Sequence, residues 1–253
     1  MTEHRKIELP QTRQLRLRVD LEAIDGSPLV VHRFGAKAQR QMLARQMGLP
    51  SPKEKRDPLK EYREGFYLVN PNADDDAIGK YGFPTKALKG AMVSACRFMP
   101  KNSIKMTVMK GALFVEGELF RLTGWDRLEM HAEPVRLGMR GSTEVRFRPA
   151  FHGWTGEAFL TLKVGSISLD QALHALVEAG SGVGLGECRP EKGGTWGMFA
   201  VSAAEAVAED AVVRYLDRSP KIDWEEIESL RSKQAATEAV PATTRRRKTQ
   251  AAG

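Results

Sequence analysis

The sequence is poor in cysteine, in long apolar runs and in metal or nucleotide motifs, and each shortage excludes a class of protein. Two cysteines in 253 residues, Cys96 and Cys188, are too few for a secreted disulfide scaffold and lack CxxC zinc spacing. No apolar run approaches a bilayer-spanning length, and the start, Met1-Thr-Glu-His-Arg-Lys6, has no signal-peptide core. No HExxH, GxxxxGK[ST], Cys/His zinc pattern or Ser/His/Asp order occurs. Hydrophobic residues at 42% and charged residues at 28% exclude a disordered or fibrous chain. The expectation is a soluble cytoplasmic protein of a bacterial cell or phage-infected host, with no membrane partner.

What the sequence does have is positive charge, unevenly placed. The net charge is +7, of which residues 1–70 carry +5. Residues 200–240 carry −4, and the last thirteen residues carry +4 from Arg245, Arg246, Arg247 and Lys248. A basic body with a basic tail suits a polyanion, since each neutralised phosphate releases counterions; a solvated charged surface is the plainer reading.

Apolar periodicity predicts the elements. Residues 15–22 alternate apolar and charged as a half-buried strand with Leu15, Leu17, Val19 and Leu21 inward, and 29–34 reads as its hairpin partner. Residues 37–47 read as a short helix and 50–63 as a charged, proline-punctuated loop. Residues 66–69 read as a strand. Leu88, Ala91, Met92, Ala95 and Phe98 recur at helical spacing over 84–98, with Lys86, Lys89 and Arg97 off that stripe. Short β segments follow at 104–108, 112–115, 119–122, 144–148 and 158–164. Ser168 and Gln171 form a capping box for a helix over 169–179 that Gly180 stops. A strand over 197–201, helices over 203–217 and 223–233, and a disordered tail complete the chain. Strands with two good helices between them predict an α+β fold with antiparallel sheet.

The segment Gly180–Gly197 has seven glycines in eighteen residues, including Gly182, Gly184, Gly186, Gly193, Gly194 and Gly197. It follows a helix and precedes a strand, the reverse of a dinucleotide or triphosphate loop. Two readings stand: a cradle for a phosphate-bearing ligand, with Arg189 and Lys192 on phosphates and Trp196 on a base, or a tight connection in which glycine serves close packing. Arg146 and Arg148, on one face of a strand, read as a basic stripe or as an edge that discourages aggregation.

Phe83-Pro-Thr-Lys-Ala-Leu-Lys-Gly-Ala-Met-Val-Ser-Ala-Cys-Arg97 resembles the helix-opening motif I-P-G-S-S-L-K-G-x-x-R of the RAMP superfamily, the RNA-binding backbone subunits of CRISPR effector complexes. The match rests on Pro84, Leu88, Lys89, Gly90 and Arg97. Thr85-Lys86-Ala87 replaces Gly-Ser-Ser, and Arg97 falls several residues late. The strand 157–164, the helix 169–179 and the glycine-rich loop are similar to that superfamily's second half, and the block 180–201 also resembles phage and prophage proteins.

The resemblance implies a ferredoxin-like (RRM-like) core over 1–201 with long insertions at about 35–65 and 100–140, a C-terminal helical segment over 202–233 and a basic tail over 234–253. It also implies binding of single-stranded RNA or DNA, often as a homo-oligomer or filament, with Lys86, Lys89, Arg97, Arg189 and Lys192 facing the strand's backbone. No cofactor or metal is expected. Two alternatives stay open: a metal-independent endoribonuclease of the same fold, and a phage interaction module acting on a host complex. Catalysis is not expected. His174, with Asp170 and Glu178 at four-residue spacing, reads as a solvated polar face. Asp74-Asp-Asp76 reads as a solvated loop, and His32 is the one candidate acid or base.

Overall fold

The computed structural model describes residues 13–24, 26–48, 55–101, 103–136 and 143–207. They fall in two units. The first, Met1–Gln39 and Glu54–Leu216, holds both sheets; of the second, Arg40–Lys53 and Asp217–Gly253, only residues 40–48 are described.

The organising strand is β1 (Gln14–Ala23). Its alternation buries Leu17, Val19 and Leu21, each at most 2% exposed, and leaves Arg16, Arg18 and Asp20 on the opposite face. Antiparallel β8 (Thr155–Lys163) lies on one side and β9 (Phe199–Val207) on the other. The far edge of β8 pairs with β4 (Leu113–Val115) at one end and β5 (Leu119–Gly124) at the other, and β3 (Gly82–Pro84) pairs β5. The order is therefore β3-β5-β8-β1-β9. Helix α3 (Thr85–Ala95) precedes β5, and α5 (Leu169–Glu178) separates β8 from β9.

Taken in chain order, β1, α3, β5, β8, α5 and β9 form a β-α-β-β-α-β series. The fourth strand lies beside the first, then the third, then the second, which is the ferredoxin-like arrangement. Leu88, Met92, Ala172 and Leu176 from the two helices join Leu17, Val19, Leu160 and Leu162 from the sheet in one core. The expected capping box is present, with Ser168 Oγ accepting from the Gln171 amide and Gln171 Oε1 from the Ser168 amide.

Two insertions leave this core. Between β1 and α3 lie β2 (Leu29–Val30), α1 (Ala36–Gln46), α2 (Pro58–Glu64) and β3. Between β5 and β8 rises a hairpin of two ten-residue strands, β6 (Arg127–Arg136) and β7 (Thr143–His152), which forms a second sheet with β2. The remaining helix, α4 (Met106–Ala112), leads from α3 into β4.

Several expectations are corrected. Residues 29–34 do not pair β1: β2 pairs β7, because Ser27 Oγ bonds the Thr195 carbonyl and the Met198 amide and draws the chain toward the glycine-rich loop. The 50–63 loop contains α2, capped by the Asp57 carboxylate on two amides with Pro58 in the first turn. Residues 66–69 contribute only the bridge Leu68–Tyr81. The expected β segment at 104–108 instead leads into α4, which begins at Met106 and whose Met109 and Ala112 are buried one turn apart. Residues 203–207 extend strand β9, because they pair β1 through Arg16. The helices expected over 208–217 and 223–233 and the tail with Arg245–Lys248 lie outside the described residues.

Candidate nucleic-acid interface

From residue 77 to residue 115 the chain has seven cations and no acid. Lys80 is buried and tied to Asp75 at 2.6 Å. The other six, Lys86, Lys89, Arg97, Lys101, Lys105 and Lys110, lie on α3, α4 and their connection, and among the described residues none forms an ion pair. All but Lys89 are exposed. Helical geometry explains the placement, since Leu88, Ala91, Met92 and Ala95 turn inward and leave Lys86 and Arg97 on the outer side. Elsewhere in the fold, Arg16, Arg18, Arg127 and Arg189 each face a carboxylate.

The side of α3 that faces the glycine-rich loop is lined by small residues. Ala87, Gly90, Ala91 and Ser94 form one wall of a cleft of about 200 Å³, and the glycine-rich loop forms the other with Val183–Gly186, Arg189 and Glu191. Its charged pair is closed on itself. Arg189 donates to Glu191 at 2.8 and 3.2 Å and to the Gly186 carbonyl at 3.2 Å. The Arg189 hydrogen bond holds the Glu191 carboxyl below the usual glutamate range. Lys192 stands exposed on the following turn.

The loop is wound tightly. Helix α5 runs into a single π-turn at Ala179–Val183, and a 3₁₀ turn occupies Pro190–Lys192. At Gly197, with φ +66°, a side chain would overlap the Leu185 backbone, and at Gly186, with φ +74°, it would press on the Val30 carbonyl. The close-packing reading of these glycines is therefore realised.

On its other side the loop docks on the hairpin. Arg148 is 4% exposed, with its guanidinium 3.2 Å from Glu133 and 3.6 Å from Glu187, so it is an internal cation and no part of a solvent-facing edge. Arg146 is half-buried beside Glu144 at 3.8 Å. Glu187 also faces His32 Nδ1 at 3.5 Å; that hydrogen bond chiefly lowers the Glu187 pKa, with Arg148 adding to it. The Cys188 thiol meets Glu133 at 3.2 Å, and burial together with that contact pushes it up to about 11. Trp196, half-buried, packs edge-on against His131 with centroids 4.8 Å apart. Tyr67 Oη donates to the His32 carbonyl at 3.3 Å.

The structure thus brings Lys86, Lys89 and Arg97 to α3 and its end and sets Arg189 across the cleft from α3, while Arg148 and Trp196 belong to the loop–hairpin contact and Arg146 lies beside Glu144 on its own strand. Sequence reasoning missed Lys101, Lys105 and Lys110; the acid-free run was their signal. His174 pairs with Glu178 at 3.6 Å on an exposed face. Among the described residues no group of three His, Cys, Asp or Glu side chains is placed to hold a metal ion, and no helix is long and apolar enough to cross a membrane.

No family model and no curated protein sequence matches this chain. Among solved structures, it is similar to a chain of a Type III-B Cmr-beta complex bound to cognate target RNA, at 9% identity and TM-score 0.42. That match covers 77% of this chain and 61% of the other, so the chain spans less than two thirds of that relative's length. It is also similar to a chain of a CRISPR RNA-guided surveillance complex, at 13% identity and TM-score 0.34, covering 92% of this chain and 91% of that one. The ferredoxin-like assignment rests on the strand order given above.

Proposed function

We propose that the protein binds single-stranded nucleic acid through its phosphate backbone, along α3, α4 and the cleft beside the glycine-rich loop, with little sequence specificity. The observation that carries this reading is the run of six cations on α3, α4 and their connection with no carboxylate partner among the described residues. A phosphodiester chain gains most from cations that break no ion pair to meet it. The small cleft, about 200 Å³, and the lack of a recognisable duplex-reading motif in the sequence favour a single strand over a duplex. The RAMP resemblance of the α3 start and of the loop agrees with this surface, and side-by-side assembly of copies along a strand is part of the same reading.

Fluorescence anisotropy with labelled single- and double-stranded oligonucleotides of equal length tests it. Single strands are expected to bind more tightly, with affinity falling steeply with salt, and the double charge reversal Lys86→Glu with Arg97→Glu is expected to abolish binding without changing the melting temperature. Equal affinity for duplex, or a charge-reversed variant that binds as wild type does, refutes it.

A second reading, the metal-independent endoribonuclease, draws on one arrangement: the His32 imidazole faces Glu187, while the Tyr67 hydroxyl bonds the His32 backbone carbonyl. A carboxylate-oriented imidazole is the geometry of a general base. Cleavage of single-stranded RNA in EDTA, lost in His32→Ala, would establish it; intact RNA after prolonged incubation would dismiss it.

A further inference from the structure

The aromatic rings that could meet a strand differ in their surroundings. Phe98, 57% exposed, follows Arg97 just past the end of α3 and has no cation over its ring among the described residues. Phe159, in the centre of β8, is covered by the Arg16 guanidinium at 4.4 Å, and Arg16 is fixed in place by Glu116 at 2.9 Å. Trp196 is engaged with His131. Phe114 combines exposure with two unfixed cations over its ring. It lies on β4, 36% exposed, opposite Thr161 in the register. Lys89 Nζ is 4.9 Å from its ring centroid and Lys163 Nζ is 5.4 Å away, one reaching from α3 and the other from β8. Neither lysine forms an ion pair among the described residues. Glu116, the nearest acid in sequence, has its carboxylate taken by Arg16 and by the Thr161 hydroxyl at 2.6 Å.

We infer that Phe114 with Lys89 and Lys163 is a nucleotide-stacking site, in which an unpaired base lies on the phenyl ring and the two ammonium groups take its flanking phosphates. This rests on the proposed single-strand binding and adds to it the point where a base, as opposed to the backbone, is held. The physical case is an exchange. A lysine over an exposed phenyl ring is weakly held, whereas a base covers the ring over a far larger area and brings a phosphate for each displaced ammonium. The site takes any base, because each offers a π-face, and it rejects duplex, because a paired base is already stacked. Lys89 also belongs to the helical surface that carries the backbone, so a strand running along α3 reaches Phe114 without leaving the basic track.

The test compares a single-stranded oligothymidylate with an abasic strand of the same length and charge, using the full chain. Phe114→Leu, which keeps an apolar side chain on β4, is expected to weaken oligothymidylate binding about tenfold and to leave abasic-strand binding unchanged. The double variant Lys89→Ala with Lys163→Ala is expected to weaken both. With 5-iododeoxyuridine in the strand, irradiation is expected to cross-link the peptide that contains Phe114. If Phe114→Leu leaves oligothymidylate affinity intact, or lowers affinity for both strands equally, the stacking site is refuted while backbone binding stands. If the wild-type chain binds neither strand, both fail together.

Discussion

Arg148 illustrates how environment, more than residue type, decides what a cation does. On the sequence it is one of two arginines on a strand face; in the fold it is the internal counter-charge of Glu133 and Glu187. Removing one partner of such a cluster is costly because the remaining charges lose their compensation, although here the carboxylates keep some contact with water. Arg148→Met, close in volume, is expected to lower stability by roughly 3 kcal/mol in urea denaturation. Acid should act on the same contact from the other side. The folded-state pKa of Glu187 lies below its ordinary value of 4.5, mainly through the His32 hydrogen bond. Its contribution is thus fully present above pH 4.5 and is lost as pH falls through the depressed value. The melting temperature of Glu187→Gln should therefore fall less steeply than that of wild type below that pH. Parallel curves would show that Glu187 does not link the loop to pH.

At the level of elements, the glycine-rich loop is the most demanding piece of the fold, because it must pass close to β2, β9 and itself. Gly197→Ala asks for a residue at φ +66° against the Leu185 backbone, and is expected to cost more than about 3 kcal/mol in chemical denaturation. Ser168→Ala removes only one half of a capping box, and about 1 kcal/mol is expected in the same measurement. These two elements mark the boundary of what could be read in advance. Strand β1 and helices α3 and α5 declare themselves through a long, unbroken period, and α3 already carried Lys86, Lys89 and Arg97 on its outer side. Helix α4 did not, because Ile104–Val108 is a short stretch that satisfies a strand pattern, and only burial of Met109 and Ala112 selects the helix. The partner of β2 was illegible for another reason: it is chosen by Ser27 bonding the backbone at 195 and 198, far along the chain. Phe114 and Arg148 had the same difficulty, since pairing register and distant loops set their exposure.

Across the whole molecule, the net charge of +7 conceals a division between paired and unpaired cations, and that division should be measurable. If binding responded to net charge alone, any two cations removed would weaken it equally. If it responds to the surface on α3 and α4, location and pairing decide. Lys101 and Lys105 are exposed and without ion pairs among the described residues, whereas Arg18 faces Glu157 at 2.7 Å and Arg127 faces Glu129 at 3.1 Å. The variants Lys101→Ala/Lys105→Ala and Arg18→Ala/Arg127→Ala carry the same formal charge. For a single strand, each neutralised phosphate contributes about 0.7 to the slope of log K against log salt concentration. The lysine pair is therefore expected to flatten that slope by about 1.4 and to lower affinity at every salt concentration. The arginine pair should leave the slope where it was, because those guanidinium groups already have carboxylates beside them and release no counterions to a phosphate chain. Equal slopes for the two variants would mean that the strand senses only overall charge, and the helical surface would lose its claim to be the interface.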